Sequence, residues 1–280
     1  MRAAQTPIFL AALCAALALH PASAADGYGR CALFGHRATG HIEPAIPGQL
    51  TVLVNLPAVG EFDGETPETI RSGREFCMAV NLAYRLGLDR VVLRNTTLDS
   101  LIAGRNRGYD LALALLSVRH RTHDVVTFSV PYARDSYGVA VRAGIPADLT
   151  RLRSMRVATQ IEANVPAWLR DTLHIRRLSA FDDTGTMFTA LAAGNVDAIV
   201  TSLSVILGQV GAAHGRFAVA GRFAEGRSLA AILPLGSAEA PEIDRLLDAM
   251  RDDGTLAALE TAYLAPSWHG IDPTEIPLWR

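Results

Sequence analysis

Two arginines and two hydroxyl side chains stand together in one short polar turn of the chain. Ser117, Arg119, Arg121 and Thr122 follow residues 110–116, an apolar run of the length of one strand. Such a run is typical of a strand buried on both faces of a parallel sheet. Ligands of open α/β sheets bind beyond the carboxyl ends of such strands. The turn is therefore a candidate site for a small anion, which guanidinium groups hold with paired hydrogen bonds.

The histidines and cysteines of the chain offer a weaker case for a metal. His120 and His123 lie in the same turn without a nearby carboxylate pattern. Cys31, His36 and His41 recur every five residues, in a Gly- and Pro-rich stretch without an apolar period. That composition favours a loose N-terminal arm over a metal site. We predict neither a metal nor a cofactor.

The elements that must position the polar turn alternate between strands and helices. β-branched and apolar segments predict strands at residues 50–54, 90–94, 156–159, 175–178 and 196–200. Apolar residues at helical spacing predict the helices between them. Two more apolar runs, at residues 138–141 and 229–233, would each cross between two halves of the molecule. The alternation predicts an α/β fold.

The first 24 residues are typical of a secretory signal peptide. Arg2 precedes an apolar stretch at residues 7–19 that is too short to span a bilayer, and Ala22, Ser23 and Ala24 fit a cleavage site. We predict export to the periplasm, with a mature chain that starts near Ala25. The alternative is an uncleaved N-terminal anchor helix.

Composition excludes several classes of function. Hydrophobic residues make up 50% of the chain and charged residues 19%, a balance typical of a folded globular protein. The net charge of −2 provides no basic surface of the kind that binds nucleic acid. All 26 basic residues are arginine, which excludes Schiff-base chemistry and the lysine of a phosphate-binding P-loop.

Beyond the polar turn, Phe128, Ser129, Pro131 and Tyr132 complete a pattern that resembles the family 3 extracytoplasmic solute-binding proteins. These are the amino-acid-type receptors of ATP-driven (ABC) importers. Further motifs follow in the order of that family over residues 48–266: Leu56-Pro57-Ala58, Gly73-x-Glu75-Phe76, Gly194-Asn195-Val196-Asp197 and Asp253-Gly254-Thr255-Leu256.

The resemblance implies a two-lobed periplasmic binding protein fold of type II, also called a Venus flytrap. Each lobe would be a mixed, mostly parallel sheet flanked by helices, and two hinge strands would join the lobes. The predicted divisions are a signal peptide (1–24), an N-terminal arm (25–47), lobe 1 (48–140 with 233–266), lobe 2 (141–232) and a C-terminal tail (267–280).

The polar turn departs from the family pattern. Counted back from Phe128, the family's carboxylate-binding arginine falls on Thr122, with Arg121 one place early and Arg119 three. One of these arginines could hold the ligand's carboxylate, Arg121 if the turn slips by one residue and Arg119 from the strand end. The alternative is that both are solvated surface charges.

Two positions expected in lobe 2 also depart from the family. Gln160 opens the turn where the family has Gly-Ser or Gly-Thr, and Glu162 follows it. Ser202 stands where the family has an aspartate that pairs with an α-ammonium group, and a hydroxyl offsets such a charge less well. The ligand could therefore be a small carboxylate or a polar neutral solute instead of an α-amino acid.

Four further residues have two interpretations each. Phe62 either stacks on the ligand, as the resemblance implies, or packs on its own loop. Glu75 either contacts the ligand or stabilises the start of its helix, where a carboxylate is favoured. Cys31 and Cys77 remain after leader cleavage and could form a disulfide in an oxidising compartment; otherwise Cys77 is a buried apolar residue and Cys31 a free thiol.

Together these features predict a monomeric periplasmic receptor that binds a small polar or anionic solute, either an amino acid or an organic carboxylate. Hinge closure would then present the solute to an ABC-type permease in the inner membrane. One alternative is a dehydratase of the cyclohexadienyl or arogenate type on the same fold, with Glu75 or Glu162 as its acid. Another is a ligand-binding sensor or accessory subunit that has no role in transport.

Overall fold

The structure is a computed structural model that describes residues 26–117, 124–161 and 165–280. No helix among these residues has the length and hydropathy needed to cross a membrane. The strands are β1 (Gln49–Val54), β2 (Arg90–Asn95), β3 (Leu111–Leu113), β4 (Val126–Arg142), β5 (Arg156–Gln160), β6 (Arg177–Phe181), β7 (Ala198–Ser202), β8 (Phe217–Pro234) and β9 (Leu278–Trp279). The helices are α1 (Arg74–Arg85), α2 (Leu98–Ile102), α3 (Leu149–Leu152), α4 (Val165–Asp171), α5 (Thr184–Ala192), α6 (Leu203–Ala212), α7 (Ala240–Asp252) and α8 (Thr255–Leu259).

The first body, lobe 1, is built on β1. All six residues of this strand are buried, and it pairs in parallel with both β2 and β3. One face of the sheet packs against α1 and α7, and the other packs against α2. The predicted strand at residues 110–116 is shorter in the structure. It ends at Leu113, and Leu115 turns the chain with a left-handed φ of 55°.

The second body, lobe 2, repeats the arrangement with its own hydrophobic cores. Strand β5 pairs in parallel with β6 and β7. Helix α4 covers one face of this sheet, and α5 and α6 cover the other. The predicted strand at 175–178 begins two residues later, at Arg177, because Ile175 packs into the core before the strand starts. Asp183 caps α5 by accepting a hydrogen bond from the Thr186 amide.

Two long antiparallel strands, β4 and β8, join the lobes. They pair from Val126 and Pro234 at one end to Arg142 and Phe217 at the other. Lobe 1 pairs with this ribbon through β3, and lobe 2 through β7. Strands β4 and β8 pair along their whole length. At residues 134–136, β8 is the only described strand that pairs with β4. The ribbon is therefore the place at which one lobe can bend relative to the other.

The two crossing segments had been predicted as short separate strands at 138–141 and 229–233. Instead, β4 has 17 residues and β8 has 18, and each runs through both lobes. Pro131 lies between register shifts of the ladder, which is how a strand tolerates a residue without an N–H donor.

The N-terminal arm is fixed to lobe 1, which corrects the prediction of a loose arm. Cys31 and Cys77 form a disulfide with their Cα atoms 5.3 Å apart. The Asn81 side chain accepts a hydrogen bond from the Phe34 amide of the arm and donates one to the Ala32 carbonyl. A Gly- and Pro-rich composition does not exclude such order, because these bonds come from α1 and not from the arm itself. With its sulfur in a disulfide, Cys31 cannot serve as a metal ligand.

The C-terminal segment, residues 265–280, runs from lobe 1 to lobe 2. It begins after Leu264, which is buried, and its first turn packs on α6. It ends as β9, which pairs in parallel with β8 at Arg222 and Phe223. The Trp279 ring lies edge-on to Phe223, with 5.8 Å between the ring centroids. A Cβ atom on Gly221 would lie 2.2 Å from the Trp279 ring, so this position requires glycine.

Candidate functional site

Polar side chains at the strand ends of the two lobes meet across the cleft between them. Asn55 follows β1 in lobe 1, whereas Gln160 ends β5 in lobe 2. The Gln160 side-chain amide donates to Asn55 Oδ1 at 3.5 Å, and Thr201 of β7 donates to Gln160 Oε1 at 3.5 Å. All three residues are buried. Because these separations are at the limit for a hydrogen bond, stronger acceptors or donors on a bound solute could replace them.

The backbones of the two lobes also approach each other closely, at two glycines of lobe 2. A Cβ atom on Gly185, in the first turn of α5, would lie 3.4 Å from the ring of Pro57. A Cβ atom on Gly208, in α6, would lie 3.2 Å from the carbonyl oxygen of Val59. Glycine at these positions therefore lets the lobe 1 loop after β1 approach two helices of lobe 2 closely. The described surfaces are those of a closed cleft.

Of the four residues in the predicted anion-binding turn, the structure describes Ser117. Ser117 is half-buried and pairs through its backbone with Leu229 of the β8 ribbon, which places it where lobe 1 meets the hinge. Arg119, Arg121 and Thr122 lie outside the described residues, as does Glu162 of lobe 2. The assignment of the anion grip to Arg119 or Arg121 therefore stays a prediction.

Ser202 lies at the end of β7 and caps α6, accepting a hydrogen bond from the Val205 amide at 3.4 Å. Its hydroxyl also donates to Asp135, a carboxylate of the β4 hinge segment. Asp135 thus binds the hydroxyl group that caps α6. Sequence reasoning missed Asp135, because the contact arises from antiparallel pairing of β4 with β7 over a separation of 67 residues.

Phe62 had been considered as a ring that stacks on the ligand. In the structure it is 1% exposed and belongs to the core of lobe 1, together with Ile70 and Phe76. The ring is therefore enclosed and not available to a solute in the cleft, which corrects its assignment to the ligand site. Its loop folds back on α1 because the Phe76 amide bonds the carbonyl of Glu61.

Glu75 is likewise enclosed. It has no exposed surface, accepts a hydrogen bond from the Tyr132 hydroxyl, and accepts a second from the Leu115 amide at 3.3 Å. Burial, followed by the nearby Glu61 carboxylate, raises the pKa of Glu75 to about 8. The side chain therefore holds a proton at neutral pH inside lobe 1. In this arrangement its hydrogen bonds hold the turn after β3, and a contact with the ligand stays a prediction.

An ion pair lies next to Glu75. The Arg74 guanidinium donates from Nε and Nη2 to the two carboxylate oxygens of Glu61, at 2.8 and 2.7 Å, and both side chains are buried. Burial lowers the pKa of Arg74, but the paired Glu61 carboxylate raises it above its ordinary value. Burial raises the pKa of Glu61, and the Arg74 guanidinium opposes that rise. The two hydrogen bonds between them favour the charged pair. Removing either partner would leave an uncompensated charge in the protein interior.

Comparisons with known proteins agree with this architecture. The family model described as bacterial extracellular solute-binding proteins, family 3, matches residues 67–266. The L-cystine-binding protein TcyJ of Escherichia coli (strain K12) is 24% identical over 209 residues, which cover 73% of this chain and 76% of that protein.

Solved structures share the fold. A solute receptor for L-cysteine of Neisseria gonorrhoeae superposes with a TM-score of 0.69 and 21% identity, covering 81% of this chain and 94% of that receptor. An ancestral amino acid-binding protein, described as a precursor of cyclohexadienyl dehydratase, superposes with a TM-score of 0.66 and 20% identity, covering 78% of this chain and 95% of its own. The two-lobed α/β fold expected from the sequence is thus confirmed.

Proposed function

Because the chain belongs to family 3 of the bacterial extracellular solute-binding proteins, we propose that it is a periplasmic receptor for a small polar or anionic solute. The solute binds in the cleft between the lobes, and the closed form delivers it to an ABC-type importer of the inner membrane. The observation that carries the proposal is the contact of Asn55 with Gln160. Buried amides from opposite lobes meet there at a distance that a bound solute could improve upon.

We assign the recognition of the solute to side chains on both sides of the cleft. Asn55 and Gln160 provide amide donors and acceptors, and Thr201 adds a hydroxyl. Arg119 or Arg121 of the polar turn holds a carboxylate of the solute. These groups suit an amino acid or an organic carboxylate, since amide, hydroxyl and guanidinium groups all bind polar oxygen atoms.

Closure follows from the hinge. A solute that contacts both strand ends stabilises the closed arrangement more than the open one, and the population shifts accordingly. The bending is taken up at residues 134–136 of β4 and the facing part of β8, because no other described strand restrains the ribbon there.

A dehydratase on the same fold would need an acid in contact with the bound molecule. Glu75 is protonated at neutral pH but is enclosed in lobe 1, so it does not meet this condition. Glu162, the other acid considered, lies outside the described residues. We therefore favour binding over turnover. Incubation of the exported protein with prephenate or arogenate, followed by chromatography of the products, separates the two functions, and the receptor proposal predicts no product.

The ligand itself can be found by thermal-shift screening of the exported protein against small carboxylates and amino acids. A ligand present at about 100 times its dissociation constant should stabilise the protein by about 2.7 kcal/mol. Gln160→Ala and at least one of Arg119→Ala and Arg121→Ala should lose that gain. Arg176→Ala, which removes an exposed arginine of lobe 2, is the matched control and should keep it. If all of these variants retain the gain, the cleft assignment is wrong.

A further inference from the structure

A cavity that is partly open to solvent lies against the hinge strand β4. This cavity has a volume of about 310 Å³, and none of the three polar residues that meet across the cleft lines it. Its walls come from four parts of the chain: the start of α1, residues 134–136 of β4, the first two turns of α6, and residues between 260 and 273, which include the start of the C-terminal segment. It therefore contacts both lobes, the hinge and the C-terminal segment at once.

Two carboxylates of the cavity have no cationic partner among the described residues. Asp135 Oδ1 accepts from the Ser136 amide at 2.8 Å, and Oδ2 is bonded by the hydroxyls of Ser202 and Ser204. Glu260, on the opposite wall, is exposed and forms no ion pair within that part of the chain. These amide and hydroxyl donors carry no charge and therefore leave the charge of the Asp135 carboxylate without a cationic partner. A positively charged group in the cavity would provide one.

Hydrogen-bond donors that lack an acceptor line the same space. The ring of Trp268 lines this space, but its indole Nε1 has no accessible surface and therefore does not face the cavity. Arg74 uses Nε and Nη2 for Glu61, and the described residues offer no acceptor to Nη1. Arg134 adds an exposed guanidinium that forms no ion pair in the described chain. A buried donor without a partner has a free-energy cost that an acceptor on a ligand would remove.

The remaining wall is aliphatic. Leu203, Leu207 and Leu264 are each less than 10% exposed, and together with the indole of Trp268 they form the apolar side of the cavity. The volume is at the lower end of the range for small-molecule sites, which excludes nucleotides and peptides. A fitting molecule has a primary ammonium group, a carboxylate and at most a short aliphatic body.

We propose that this cavity is a second small-molecule site, separate from the solute cleft, which takes a small zwitterion with an ammonium group and a carboxylate. The ammonium group lies between Asp135 and Glu260. The carboxylate accepts from the guanidinium groups of Arg74 and Arg134, and the body of the molecule lies against the Trp268 ring. Because the occupant touches both lobes and the hinge strand, its affinity differs between the open and closed arrangements. It therefore modulates closure of the cleft.

The site can be tested by the indole N–H signals of the exported, ¹⁵N-labelled protein in solution. Glycine, L-leucine and 4-aminobutanoate are titrated as probes, since they vary the body of the zwitterion and the spacing of its charges. The signal of Trp268 is assigned with Trp268→Phe. At least one probe should move this signal, because an occupant of the cavity contacts the Trp268 ring and changes the surroundings of its N–H. 4-Methylpentanoate and 3-methylbutylamine, which each lack one charge, should bind about tenfold more weakly or worse.

Variants separate this site from the cleft. Asp135→Asn and Glu260→Gln should each weaken the probe that moves the Trp268 signal by about tenfold. Glu260 is exposed, so its variant tests the site without disturbing the fold. Gln160→Ala, which alters the cleft, should leave that binding unchanged, and so should Glu275→Gln, an exposed carboxyl of the C-terminal segment that does not line the cavity.

The proposal is overturned if no probe moves the Trp268 signal. It is also overturned if Gln160→Ala removes the response while Asp135→Asn and Glu260→Gln keep it, because the probe would then bind in the solute cleft. Since the cleft ligand is found by the separate thermal-shift screen, failure of the second site leaves the receptor function intact.

Discussion

Replacing Glu75 with glutamine should change how the stability of the protein depends on pH. Glu75 has no exposed surface, and burial is the main cause that raises its pKa from an ordinary value of 4.5 to about 8. Glutamine has the shape of the protonated carboxyl group and can still accept the hydrogen bonds from Tyr132 and Leu115. The substitution therefore removes the titration and keeps the contacts.

The sign follows from the two states of the chain. Below about pH 4.5, Glu75 is protonated in both the folded and the unfolded protein, so it adds no pH dependence. Between about pH 4.5 and 8 the unfolded chain releases the proton whereas the folded protein keeps it, which lowers the free energy of unfolding as pH rises. The loss is about 1.4 kcal/mol per pH unit, or about 3 kcal/mol between pH 5.5 and 7.5. Above about pH 8 it is complete.

Urea denaturation of the wild type and of Glu75→Gln, at intervals from pH 5 to pH 9, measures this loss. The variant should become progressively more stable than the wild type as pH rises. Glu65→Gln removes an exposed carboxyl of the loop before α1 and should follow the wild type throughout. Parallel profiles for the wild type and Glu75→Gln would show that Glu75 ionises normally. Its description as an enclosed, neutral side chain would then be wrong.

Three further perturbations test the described contacts. Arg156 donates hydrogen bonds to Asp197 from Nε, Nη2 and its backbone amide, and these lower the pKa of Asp197 to about 2. Because the pair is partly exposed, Asp197→Asn should lower the free energy of unfolding by only about 1 kcal/mol at pH 7. Urea denaturation should show this difference vanish as pH falls from about 4 to 2. Reduction of the disulfide, which joins residues 46 apart, should lower the free energy of unfolding by about 4 kcal/mol, and an unchanged urea midpoint in reductant would contradict the bond. Gly221→Ala forces a Cβ atom against the Trp279 ring and should lower the free energy of unfolding by about 1–3 kcal/mol in thermal melts. It should also expose the Trp279 ring to fluorescence quenching, and unchanged quenching would contradict the contact.

Local patterns in the sequence predicted most of the helices and strands. The apolar, β-branched segments became β1, β2, β5 and β7. Helical periodicity predicts a helix over residues 75–86, and α1 begins and ends one residue earlier. These elements could be predicted because the spacing of apolar residues within each segment determines which face is buried. The continuity of β4 and β8 was not predicted, because Pro131 and the charged residues 134–135 interrupt the apolar pattern where the ribbon leaves both cores.

The candidate site was harder to predict because its contacts join distant parts of the chain. Asp135 reaches Ser202 only through pairing of two strands, and the burial of Phe62 depends on how its loop folds against α1. Gln160 was selected from the family pattern, and the structure places it against Asn55, which had not been considered. Arg119 and Arg121 remain predictions, and their role depends on the ligand screen.

Small-angle X-ray scattering of the exported protein, with and without the ligand that the thermal-shift screen identifies, tests the central claim most directly. A receptor whose two bodies bend at the β4–β8 ribbon should become more compact when the ligand is added, and Gln160→Ala should need more ligand for the same change. An unchanged radius of gyration at saturating ligand would contradict closure of the lobes around a solute.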